Sequence, residues 1–185
     1  GSQFWGEYSR DKKVIAVSGT NGKSTTTAML GAILEQAGMD PTVVVGTRVL
    51  QWNSNIRIGK SDWLVIEADE YAAKMLEYNP FIAVITNISA DHLDYYKDVG
   101  DIINHFQKWV DKVSDQGGVV INRDDENSKK LSIKTENLST FGVGGNKGIR
   151  SAGLSITSGT GSWLGNNDFN IVDDSKDWGS VRYHM

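Results

Sequence analysis

Ser18-Gly19-Thr20-Asn21-Gly22-Lys23-Ser24-Thr25 stands where an apolar run gives way to a helical pattern, and its residue types suit phosphate. Glycines allow a tight strand-to-helix turn. Such a turn aims backbone N–H groups and the positive end of a helix at one point, where anionic oxygens bind. Lys23 adds a mobile full charge, and the Ser24 hydroxyl can ligate Mg²⁺. The usual spacing G-x-x-x-x-G-K-[ST] would put its first glycine at Val17, so the loop is a shortened relative of that cradle. A Gly-rich turn with an incidental lysine is the bland alternative, and the order strand, two glycines, Gly-Lys-Ser, amphipathic helix argues against it.

Two further clusters carry chemistry. Glu67-Ala68-Asp69-Glu70 follows the apolar run Trp63-Leu64-Val65-Ile66, and Thr86-Asn87-Ile88-Ser89-Ala90-Asp91-His92-Leu93-Asp94 follows Phe81-Ile82-Ala83-Val84-Ile85. In open α/β sheets ligands bind at the C-terminal ends of the strands. A carboxylate there, facing a phosphate loop, makes sense as a Mg²⁺ ligand. The acidic run also reads as the cap of a helix near residues 71 to 78; both hold if Asp69 or Glu70 caps while Glu67, nearest the strand, faces metal. A lone histidine is more often a surface or core residue than a ligand. His92 lies on the same expected edge as Lys23 and Glu67, however, with carboxylates on either side to fix its tautomer.

The elements that must position these residues are legible. Val14-Ile15-Ala16-Val17, Thr42-Val43-Val44-Val45, the two runs above and Gly118-Val119-Val120-Ile121 read as five strands buried in a parallel sheet. Met29, Leu30, Ile33, Leu34 and Ala37 recur at helical spacing until Gly38 and Pro41 stop the helix. Val99, Ile102, Ile103, Phe106, Trp109, Val110 and Val113 mark a second amphipathic helix covering the sheet, with His105 off the stripe and expected in solvent. The polar stretch from Thr47 to Lys60 suits a hairpin or a substrate-facing loop. From Leu138 onward glycines and short alternating runs, such as Leu154-Ser155-Ile156 and Phe169-Asn170-Ile171-Val172, suit a small C-terminal antiparallel β-meander. The fold class is α/β: a P-loop NTPase-like, mostly parallel sheet flanked by helices.

A chain of 185 residues with 39% hydrophobic and 23% charged content is ordinary for one globular domain. Its net charge of −4 argues against non-specific nucleic-acid binding, so an anionic nucleotide must be held locally by loop amides, Lys23 and metal. The absence of cysteine excludes disulfides and thiolate zinc sites and fits a cytoplasmic setting among others. No apolar run approaches the ~20 residues that span a bilayer, so no membrane partner is expected.

With these segments in place, residues 4 to 145 resemble the central ATPase domain of the Mur ligases, the ATP-dependent ligases that build the peptidoglycan stem peptide. Gly19-Thr20-Asn21-Gly22-Lys23-Ser24-Thr25 resembles that family's shortened phosphate loop. Asn55-Ile56-Arg57-Ile58-Gly59, Glu67-Ala68-Asp69-Glu70-Tyr71 and Thr86 through Asp94 are similar to the branch that joins L-alanine to UDP-N-acetylmuramate. Three departures stand out: Asn21 where that branch more often has histidine, and Ala72 and Ala73 where polar residues are usual. Lys108 lies near the carbamylated lysine of sister branches and is given no role, since this branch does without one.

The resemblance implies ATP and Mg²⁺ as cofactors, with Gly19 to Thr25 binding nucleotide and Ser24, Glu67 and His92 holding metal. It implies Lys23, Glu67 and His92 as catalytic residues, and a reaction in which a substrate carboxylate attacks the γ-phosphate and an amine opens the acyl phosphate. It further implies that residues 1–185 form a single domain of a longer ligase, lacking the N-terminal domain that holds the UDP-sugar, the P-G-x-H-N-x-x-N base-holding segment and the C-terminal domain. Such a piece is expected to bind nucleotide without full turnover. The competing readings are another Mur branch, a ligase like folylpolyglutamate synthetase, and a nucleotide-binding module that never turns over. Retention of Glu67 and His92 disfavours the last, because binding phosphate alone needs only the loop and Lys23.

Overall fold

The computed structural model describes residues 2–142 and the backbone of residues 149–152, 167–172 and 177–183. Helix α1 (Ser2–Tyr8) leads into β1 (Lys13–Ser18), α2 (Lys23–Gln36), β2 (Thr42–Val49), β3 (Ser54–Arg57), β4 (Trp63–Glu67), β5 (Ile82–Ile85), α3 (Val99–Val110) and β6 (Gly118–Asn122). Then come β7 (Leu138–Gly142), β8 (Ile149–Ala152), β9 (Asn167–Val172) and β10 (Asp177–Tyr183). Two compact units, Gly1–Leu138 and Ser139–Met185, make up the chain.

In the first unit the strands lie in the order β6-β5-β1-β4-β2-β3. All neighbours are parallel except β2 and β3, a hairpin in which Val43 faces Arg57. The five strands expected from apolar runs are β1, β2, β4, β5 and β6, and the polar stretch after Thr47 supplies the hairpin. Parallel strands must be covered on both faces, and β1 shows how. Val14 and Ala16 join one core with Ile102, Phe106 and Trp109 of α3; Ile15 and Val17 join a second core with Ala28, Leu30 and Leu34 of α2. The side-chain period of two along a strand divides the layers. Asp98 caps α3 by accepting the Asp101 N–H at 2.8 Å. α2 ends at left-handed Gly38 (φ 76°).

Residues 71 to 78 depart from expectation. Tyr71–Glu77 is a 3₁₀ segment in which Ala72 (φ 53°) and Ala73 (φ 55°) are left-handed. Alanine favours the α-helix, so tertiary packing overrides it: Met75 is wholly buried, and its N–H donates to the Asp69 carbonyl at 2.8 Å. His105 also departs from expectation: its ring is part-buried, packed 5.1 Å from Tyr96.

In the second unit β8–β9 and β9–β10 are antiparallel, as a meander requires, while β7 pairs parallel to β8 through Phe141 and Ile149. The expected strand at Leu154-Ser155-Ile156 lies outside the described residues.

Two outcomes follow for the first unit. Phe106→Ala leaves a void beneath α3 and should cost about 3–5 kcal/mol, read as a lower urea midpoint with an unchanged slope. Asp40 ties β3 to the turn after α2: Arg57 donates to its carboxylate at 2.8 Å and the Lys60 N–H at 3.0 Å, and these bonds hold its carboxyl below the ordinary 3.8. A depressed acid stabilises above its unfolded pKa and loses that contribution as pH falls through the folded one. The stability gap between wild type and Asp40→Asn should therefore be full at pH 6 and shrink below about pH 4, measured by denaturant unfolding at each pH.

Candidate nucleotide and cation site

The order β5-β1-β4 places three loops side by side at the C-terminal edge of the sheet. The first is the Gly19–Gly22 loop, where Gly22 (φ 84°) precedes the first turn of α2. Gly19 is obligatory: its φ is 136°, and a Cβ there would lie 2.1 Å from the Thr86 Oγ1. The β5 loop clamps it. The Thr20 N–H donates to the Asn87 carbonyl (2.9 Å) and the Asn21 N–H to the Asn87 Oδ1 (3.2 Å). The Asn21 carbonyl in turn accepts from Thr86 Oγ1 (2.6 Å) and Asn87 Nδ2 (3.0 Å). With the Thr20 and Asn21 amides engaged, the donors left for an anion include the Gly22 N–H and those of the first turn of α2. Thr25 is exposed on that turn.

Glu67 ends β4 facing this turn. Its Oε1 accepts from the Ser24 hydroxyl at 3.0 Å and its Oε2 from the Gly46 N–H at 2.6 Å. A Cβ on residue 46 would meet that carboxylate at 2.8 Å, so β2 approaches Glu67 only because residue 46 is glycine. Ser24 and Glu67, both expected to hold metal, thus lie within hydrogen-bond distance of each other.

His92 is beside Glu70. Its Nε2 lies 3.5 Å from Glu70 Oε1 and 3.9 Å from Asp91 Oδ2, and the ligand atoms of Glu70, Asp91 and His92 all fall within 4.8 Å of one another. Of the flanking carboxylates only Asp91 turns toward the ring; Asp94 accepts from the Tyr71 hydroxyl at 3.2 Å. Tyr71 packs 4.7 Å from the imidazole, and His92 itself is left-handed (φ 52°). Glu70 is not a cap. Asp69 takes the Tyr71 N–H (3.1 Å), while the Glu70 side chain, 3% exposed, turns inward and meets Lys23 Nζ at 2.7 Å. Lys23 also donates to the Gly19 carbonyl at 2.8 Å. Tyr96, whose hydroxyl burial pushes up to about 12, donates to the Glu70 carbonyl and holds that backbone in place.

Sequence reasoning missed three contributors. Glu70 was hidden in an acidic run that reads as a cap, and only its three-residue offset from Glu67 into a turn separates their roles. Thr86 and Asn87 carry the signal of polar residues just past a strand, without their target. The turn after β6 braces the loop that bears His92: Asp125 accepts the Ile88 N–H (3.0 Å) and Asn127 donates to the Ile88 carbonyl (2.8 Å).

The donor set fits Mg²⁺ or Mn²⁺. Both Glu70 oxygens are buried; Oε2 meets the Lys23 ammonium at 2.7 Å, while Oε1 accepts no well-formed hydrogen bond among the described residues and keeps its lone pairs for a cation. One imidazole beside two carboxylates suits Mn²⁺ as well.

The profile of the Mur ligase middle domain matches residues 17–172. The UDP-N-acetylmuramate–L-alanine ligase of Caldicellulosiruptor bescii is 47% identical over 131 residues, covering 70% of this chain and 29% of that protein. The ligase of the same name from Clostridium novyi is 40% identical over 160 residues, 85% of this chain and 35% of that one. The crystal structure of UDP-N-acetylmuramate-alanine ligase from Thermotoga maritima superposes over 99% of this chain and 39% of its own with a TM-score of 0.77 at 25% identity. The chain thus spans about a third of the curated relatives it matches. A match running from the end of β1 through β9, on a sheet of the same fold, means that this chain belongs to the Mur ligase middle-domain family.

Proposed function

We propose that this domain binds Mg-ATP on residues Gly19 to Thr25 and serves an ADP-forming ligase that joins the carboxylate of UDP-N-acetylmuramate to L-alanine through an acyl phosphate. The observation that carries the reading is the convergence of Lys23, Ser24, Glu67, Glu70 and His92 around one helix N-terminus. Relatives of the same name at 40–50% identity support the choice of branch. The domain acts as the nucleotide-holding part of a longer ligase in the cytoplasm, whose further regions supply the UDP-sugar and amino-acid sites.

Phosphoryl transfer asks little covalent chemistry of a protein; catalysis is positioning and electrostatic stabilisation. Lys23 and the first-turn amides of α2 neutralise charge on the β and γ oxygens. Ser24 and Glu67 would hold one cation, and His92, with Glu70 and Asp91, would hold a second. Bound there, divalent cations neutralise phosphate charge and lower the repulsion between two anions. Gly46 and Ser24 keep Glu67 aimed at the loop, while Tyr71 orients His92.

Calorimetric titration with Mg-ATP tests the cradle. Lys23→Ala should weaken affinity about 10- to 100-fold, the loss of a charge-assisted bond of about 1.5–3 kcal/mol. Unchanged affinity would remove Lys23 from the nucleotide site. Because Lys23 is partnered by buried Glu70, the same variant should also unfold at lower urea, by about 1–3 kcal/mol. Glu67→Gln can still accept the Gly46 N–H through its amide oxygen and donate its NH₂ to the Ser24 hydroxyl, so it should lose Mg²⁺-dependent affinity with little change in stability. In the full-length ligase, mass spectrometry should detect the UDP-linked L-alanyl amide from Mg-ATP, UDP-N-acetylmuramate and L-alanine. Phosphate release with a different amino acid alone would move the protein to another branch.

A further inference from the structure

Among the described residues of the site, Glu70 is the carboxylate that faces two basic side chains. Its Oε2 lies 2.7 Å from the Lys23 ammonium, and its Oε1 faces His92 at 3.5 Å within the Glu70–Asp91–His92 cluster. Lys23 Nζ has three donors, and three oxygens surround it: Glu70, the Gly19 carbonyl at 2.8 Å and the Thr20 carbonyl at 3.3 Å. A phosphate oxygen that recruits this ammonium competes with these partners, and Glu70 is the anionic one.

We infer that Lys23 is a built-in competitor for the cation site at Glu70, Asp91 and His92, so that nucleotide phosphate, in taking Lys23, opens that site. The inference rests on the proposed nucleotide and cation reading. Two physical steps support it. While Lys23 sits on Glu70, a divalent cation on the same carboxylate would face a like charge only a few ångströms away. Once Lys23 has gone to phosphate, a carboxylate only 3% exposed is left with neither charge partner nor well-formed hydrogen bond, which is costly until a cation replaces the ammonium. The moving part is the lysine, whose four-carbon stem is flexible. Its target is held: Tyr96 bonds the Glu70 carbonyl, and Asp91 accepts the His92 N–H at 2.8 Å. Nucleotide and the His92-side cation then bind with positive coupling, and by linkage each tightens the other equally.

The test is Mn²⁺ titration of the nucleotide-free protein followed by electron paramagnetic resonance. Lys23→Met removes the competitor and should tighten Mn²⁺ about tenfold relative to wild type, although it removes a residue of the nucleotide cradle. Adding Glu70→Gln to it should abolish the gain. Lys23→Gln, which retains a donor to the loop carbonyls, serves if the methionine variant does not fold. Mn²⁺ bound by wild type with equal or greater affinity than by the lysine variants would overturn the competition and leave the cation reading standing. No Mn²⁺ bound at His92 by any form, judged by unbroadened His92 resonances, would overturn both.

Discussion

β1 lies between β4 and β5 with its side chains buried on both faces, and the site depends on that placement. Parallel pairing sends the C-terminal ends of all three strands to one edge. The register sets the stagger: Val17 lies opposite Glu67 on one side and Val84 on the other, so the Gly19 loop emerges level with the first acidic residue and just before Thr86. A slip of one residue would turn Val14 and Ala16 from one core to the other and break both layers. The apolar packing that stabilises the sheet therefore also fixes where phosphate and cations would meet.

Polar contacts refine that placement. Thr86 and Asn87 hold the phosphate loop by bonds to Asn21 and Thr20, and the loop can approach them only because residue 19 has no Cβ. Asp125 and Asn127 brace the same β5 loop from the other side. Glu67 is bound by a hydroxyl and an amide, whereas Glu70 is held by charge. This difference gives two neighbouring carboxylates different parts to play. The hydrogen-bonded one is fixed by two donors, while the ion-paired one depends on the Lys23 charge beside it. Left-handed Ala72, Ala73 and His92 cluster around the second carboxylate, and backbone strain of that sort persists where surrounding structure over-determines it.

Much of this was determined by the sequence alone. Strands β1, β2, β4, β5 and β6 follow from short apolar runs ended by polar residues, because a strand buried on both faces must be apolar throughout. α3 follows from a stripe at helical spacing. The Gly19–Gly22 turn and the presence of Ser24 and Glu67 at one edge follow from residue types at the strand ends, where an α/β sheet leaves its ligand edge. What only the tertiary structure decided are matters of distance between segments far apart in the chain. Residues 71 to 77 carry helix-forming alanines yet form a kinked 3₁₀ turn, since burying Met75 outweighs local propensity. The choice between Glu67 and Glu70 as neighbour of His92 turned on which side chain points inward from a turn, and a turn has no period to read. Lys23, which the sequence presents only as a mobile charge on its loop, is paired with a buried carboxylate from another strand's end. Local pattern reports which surface a residue can bury; only the packed chain sets which charge it meets there.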